Sequence, residues 1–75
     1  MADFRIWGRI EHIGVRQFFV VASAVPEVGS ERPIVLTITA GSLHEANSEK
    51  EKLMVKAGEA VRARGDRVVD VEVDS

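Results

Sequence analysis

Apolar and polar residues alternate with a period of two in four stretches of the chain and follow a helical period in one, which predicts four strands and a helix. Over Phe4–Ile13, the residues Phe4, Ile6 and Ile10 fall on one face, and Arg5, Trp7, Arg9 and Glu11 on the other. A turn at Gly14 returns the chain along Arg16–Val25. A loop centred on that glycine brings Ile10 opposite Phe18 and Ile6 opposite Ala22, so that Phe18, Val20 and Ala22 share a face with Phe4 and Ile6. Ile34–Ala40 reads as the third strand, with Ile34, Leu36 and Ile38 pointing one way and Val35, Thr37 and Thr39 the other. Arg67–Val73 reads as the fourth, with Val69, Val71 and Val73 inward and Val68, Asp70, Glu72 and Asp74 outward.

Between the last two strands, Ser42 and Glu45 have the spacing of a capping box, and Gly65 suits the left-handed residue that ends many helices. At 100° per residue, Leu43, Ala46, Leu53, Met54, Ala57, Ala60 and Val61 form one apolar stripe, with Gly58 at its edge where a missing side chain permits close approach to a sheet. Such a helix is about 33 Å long against roughly 26 Å for an eight-residue strand. The polar first half, HEANSEKEK, is therefore expected to overhang, and Lys50, inside the stripe by angle, either clears the sheet or snorkels. The segment Pro26–Pro33 (PEVGSERP) reads as a mobile loop; a groove between it and the overhang would leave room for a small molecule.

These elements predict an α+β two-layer sandwich, βββαβ, in which the helix is a right-handed crossover over one face of a four-stranded mixed sheet. The order 3-2-1-4 is preferred to 1-2-3-4, because it sets Arg5 and Arg9 beside Asp70 and Glu72 on the open face. One domain accounts for residues 1–75, since two cores would not fit.

A chain this short buries only about 60% of its unfolded surface, and small domains commonly regain stability from disulfides, metals or partner subunits. There is no cysteine, and His12 and His44 are the only histidines, so a partner subunit is the remaining route and a homodimer or other protein partner is expected. The 10 basic and 12 acidic side chains give a net charge of −2, without the basic excess of a general polyanion binder. The longest apolar run, Phe18–Ala22, is too short for a membrane helix, and the first residues have no apolar run of signal length; the chain is read as cytoplasmic, with no membrane partner.

Candidate chemistry concentrates on the open face. There Trp7 lies between Arg5 and Arg9, with Phe19 and Val21 on the next strand and Val35 and Val68 as extensions. Large aromatics on a face with no covering layer need a reason. One reading is single-stranded nucleic acid, bases stacking on the sheet and arginines meeting phosphates. The favoured one is burial against a protein, since Trp and Arg are typical of protein interfaces and the acidic row would repel phosphate.

No catalytic constellation accompanies this face, so no enzyme activity, cofactor or metal is predicted. Ser42 is explained by capping, His44 diverges from it at the helix start, and His12 reads as a rim residue beside the hairpin turn. The element order is similar to the first part of the ribonuclease H fold, and Glu45 and Asp70 lie on elements that carry metal ligands there. Strand one, however, offers Arg5 and Arg9 where that chemistry needs a carboxylate. Gly41–Ala46 (GSLHEA) resembles the helix start of the HicB-type antitoxin domain, a small fold of three strands, a helix and a strand. That resemblance covers six of the 75 residues, implies the same element order and carries no function.

Overall fold

The computed structural model describes residues 2–29 and 32–72. Strands β1 (Asp3–Gly14), β2 (Gln17–Pro26) and β3 (Ile34–Ala40) precede helix α1 (Leu43–Ala63) and strand β4 (Arg67–Val71). They form one four-stranded sheet in the order β3-β2-β1-β4, with β1–β2 and β2–β3 antiparallel and β1–β4 parallel. The fold is the βββαβ sandwich that the periodicities predict.

Core formation follows the alternation. Phe4 and Ile6 on β1 and Val20, Ala22 and Ala24 on β2 are buried against Ala46, Leu53, Ala57 and Val61 of α1. The apolar layer has two halves. Phe4, Ile6 and Ala24 pack with Ala57 and Val61 under the second half of the helix. Val20, Ala22 and Ala40 pack with Ala46 and Leu53 under the first half. Leu36 and Met54 touch both.

Many of these side chains are alanines, so the helix lies close to the sheet. The closest approaches use glycine. A Cβ on Gly58 would stand 3.3 Å from Ile6 Cδ1, and one on Gly8 would stand 2.7 Å from Met54 Sδ and 2.8 Å from Lys50 Cγ. Lys50 thus runs its stem across β1 at Gly8, which resolves its place in the apolar stripe as snorkelling.

Both helix ends are built as the sequence suggests. The Ser42 hydroxyl accepts from the Glu45 amide at 3.1 Å, and Glu45 Oε2 accepts from the Gly41 amide at 3.3 Å, one residue earlier than in the usual reciprocal pair. At the other end Gly65 has φ 84°, the Gly65 amide donates to the Arg62 carbonyl and the Asp66 amide to the Val61 carbonyl, a Schellman arrangement. Replacement Ser42→Ala should cost about 1 kcal/mol in denaturant unfolding, and Ser42→Asp should be near neutral. Equal stability of the alanine variant and the parent would mean that the cap contributes nothing.

Several expectations are corrected. The β1–β2 register is displaced by two residues, with Ile10 opposite Val20 and Ile6 opposite Ala24. The turn sits at Val15 and Arg16, not Gly14, and Arg16 takes the left-handed conformation with φ 55°. A displacement of two leaves every side chain on its predicted face.

In β4, an irregularity after Val68 places Val68 beside Phe4 and Asp70 beside Arg5. Val68 therefore packs on the core and not on the open face, while Val69 and Val71 remain 41% and 47% exposed. Val73 and Asp74 lie outside the described residues.

Leu43 is 56% exposed, outside the core. The overhang is absent, because β1 has 12 residues and spans about 40 Å against about 32 Å for the 21-residue helix. Ala46, in the half expected to project, is fully buried. The groove expected between overhang and loop loses its helical wall, and residues 30 and 31 of that loop lie outside the described residues.

Candidate interaction surface

Odd-numbered residues of β1, β2 and β3 point away from the helix. The sheet therefore presents Arg5, Trp7, Arg9 and Glu11 on β1, Phe19, Val21, Ser23 and Val25 on β2, and Val35, Thr37 and Thr39 on β3. All five residues singled out in the sequence, Arg5, Trp7, Arg9, Phe19 and Val21, are brought to this one face. The registers place Trp7 beside Ser23, Arg9 beside Val21 and Val21 beside Thr37.

The face is divided across its width. The β2–β3 side is neutral, with Phe19 and Val21 half-buried and Val35 59% exposed. The β1–β4 side carries the charges. Arg5 donates to Asp70 at 3.0 Å and lies 3.4 Å from a Glu27 carboxylate oxygen, so one guanidinium sits between two carboxylates. Arg9 lies over the Trp7 ring, 4.9 Å from its centroid, where the π face attracts a cation. The pairing that selected the strand order is thus made by Arg5 with Asp70, whereas Arg9 turns to the indole.

Trp7 is half-buried without a second layer above it. Arg9 covers its ring, and its cross-strand neighbour Ser23 is small. Ser23 itself is 2% exposed, sunk between Trp7 and Val35. Two shallow clefts flank the indole. One, of about 370 Å³, is lined by Trp7, Arg9, Glu11 and Glu72, and the other, of about 510 Å³, by Arg5, Trp7, Val25, Asp70 and Glu72. Both mix charge with apolar surface and contain no serine, cysteine or histidine that could act as a nucleophile or imidazole base.

The remaining candidates stay apart. His12 projects on the helix side, where its ring stacks on Phe18 at 4.6 Å between centroids. His44 is exposed on the first turn of α1, and Ser42 is occupied in capping. Among the described residues no group of three or more His, Cys, Asp or Glu side chains is placed to hold a metal ion. Glu27 was not anticipated, because it belongs to a loop without periodic pattern; the Glu27 amide donates to the Asp3 carbonyl and so holds its carboxylate near Arg5. No protein-family model, curated protein or solved structure matches the chain.

Proposed function

We propose that the chain is a small cytoplasmic, non-enzymatic interaction domain that self-associates or docks on a protein through its open sheet face. The observation that carries this reading is a half-buried tryptophan, on the same face as Phe19, Val21 and Val35, which no other element covers among the described residues. Such a surface joins an aromatic anchor to a neutral, β-branched field and a charged rim, the arrangement in which interface energy concentrates. The charge partners favour protein over single-stranded nucleic acid. Arg5 is held between Asp70 and Glu27, Arg9 is spread on the indole, and Glu72 lines both clefts, so phosphate would meet carboxylates with the guanidiniums already engaged.

The test is hydrodynamic. Sedimentation at high concentration should reveal a species heavier than the 8.2 kDa chain, and Trp7→Ala should weaken assembly about tenfold or more while leaving the circular dichroism of the fold in place. A parent chain that stays monomeric at high concentration with its indole emission fully solvent-like would overturn this reading.

A further inference from the structure

β3 closes one side of the sheet and pairs with β2 alone, without irregularity from Ile34 to Ala40. Hydrogen-bond parity shows which of its backbone groups are left over. The Glu27 amide donates to the Asp3 carbonyl, so odd-numbered residues of β2 turn their backbone groups to β1 and even-numbered ones to β3. The even-numbered residues of β3 lie opposite these and are thereby engaged. Val35, Thr37 and Thr39 direct their amides and carbonyls away from the sheet, and all three residues are exposed. Among the described residues no backbone group pairs with them on that side. The Arg32 carbonyl accepts from Arg64 Nη1 at 3.3 Å, which ties the incoming chain to the helix at the Ile34 end, away from Thr37 and Thr39. The strand IVLTITA has no charge, proline or bulge, the devices that normally keep such an edge unpaired.

We propose that a second copy of the chain occupies this edge, β3 against β3 and antiparallel, about a twofold axis at Thr37. Length fixes the register. With the axis there, residues 34–40 of the two copies overlap completely. Val35 then bonds with Thr39 of the second copy and Thr37 with its own counterpart, about six backbone hydrogen bonds in all. Moving the axis to position 36 pairs Thr39 with Pro33, which has no amide to donate. Moving it to position 38 pairs Val35 with Gly41, whose amide already donates to Glu45 at 3.3 Å. Either shift leaves carbonyls of the edge unpaired.

The side chains agree with this register. On the helix side Leu36 meets Ile38 of the second copy and Ile34 meets Ala40, so Ile38, 38% exposed in the single chain, gains an apolar neighbour. The helices do not obstruct the pairing. The core residues beneath α1 come chiefly from β1 and β2, so at ~4.8 Å per strand the two helices stay roughly 14 Å or more apart, beyond the roughly 8–10 Å of packed helices. An edge without charge offers a foreign strand little to be selected by, whereas it matches itself in length and polarity. The two four-stranded sheets become one of eight, and their open faces merge along β3. This inference rests on the self-association in the proposed function and deepens it, using the strand edge and not the sheet face.

Single cysteines test the register, since the chain has none of its own. Thr37→Cys faces its counterpart with Cα atoms about 5.5 Å apart, within disulfide reach. Mild oxidation should link it into a species of twice 8.2 kDa. Val35→Cys or Thr39→Cys alone, roughly 14 Å from its counterpart, should link about tenfold more slowly or less, while an equal mixture of the two should link readily. Thr37→Pro removes an outward amide and no bond of the β2–β3 ladder. It should raise the dissociation constant about tenfold or more in sedimentation equilibrium while the circular dichroism is retained. Thr37→Val, which keeps the amide, should associate as the parent does.

Association that falls with Trp7→Ala, survives Thr37→Pro and gives no position-dependent linkage would overturn the edge inference while leaving face docking intact. Equal linkage at positions 35, 37 and 39 would overturn it too, and that readout decides the case even where proline disturbs the fold. A parent chain monomeric at all concentrations would overturn the edge inference and self-association together, leaving only docking on a different protein.

Discussion

Replacement of Phe4 by alanine should leave the chain largely unfolded at physiological temperature. Phe4 is the largest side chain with no exposed surface, at the centre of the core half formed by Ile6, Ala24, Ala57 and Val61. Removing a buried aromatic ring costs about 3–5 kcal/mol, because the lost transfer energy is joined by the energy of the cavity left behind. A 75-residue domain has on the order of 4–11 kcal/mol of stability in all. The neighbours cannot refill the space readily, since Ala24 and Ala57 are too short to swing into it. Denaturant unfolding should show a midpoint near zero denaturant, or a melting temperature lower by more than about 15 °C. Phe18→Ala, which removes a half-buried ring at the end of the sheet, should cost clearly less. A Phe4→Ala variant within about 1 kcal/mol of the parent would mean that the core half around it carries little of the fold.

The second large effect is expected at Gly8. Valine usually favours a strand over glycine. Here a Cβ would lie 2.7 Å from Met54 Sδ and 2.8 Å from Lys50 Cγ, both inside the layer between helix and sheet. Gly8→Val must lift the helix or expel these side chains, and overpacking of this kind costs about 1–3 kcal/mol. The companion change Met54→Ala removes one obstacle, so a double-mutant cycle should return a coupling of about 1 kcal/mol or more in the recovering direction. A stabilised Gly8→Val variant, or additive effects of the two changes, would show that the helix tolerates separation from β1 at this point.

Much of the architecture was legible because one face of the sheet is buried and the other is not. Period two assigned Phe4, Ile6, Val20 and Ala22 to the core, and the opposite-charge argument selected the strand order through Arg5 and Asp70, which meet at 3.0 Å. The helix was legible from its caps and its stripe. The five candidate residues of the open face were legible from the same alternation.

What remained hidden has local causes. Arg16 carries the positive φ that the nearby Gly14 is better suited to supply, which moved the turn and the β1–β2 register. In Val68-Val69-Asp70-Val71 an apolar residue stands at both parities, so the pattern could not reveal the irregularity that turns Val68 inward.

The strand order also bears on how the domain assembles as it is synthesised. β1, β2 and β3 follow one another in sequence and in space and can form a meander as soon as they are made. β1 acquires its neighbour on the other side only after residues 67–71 have been added and the helix has crossed the sheet. Until then a nascent chain displays β1 along its whole length. On a polysome, where neighbouring nascent copies are close together, premature strand exchange between them competes with completion of the native sheet, and the speed at which the stretch carrying α1 and β4 is translated influences which one wins.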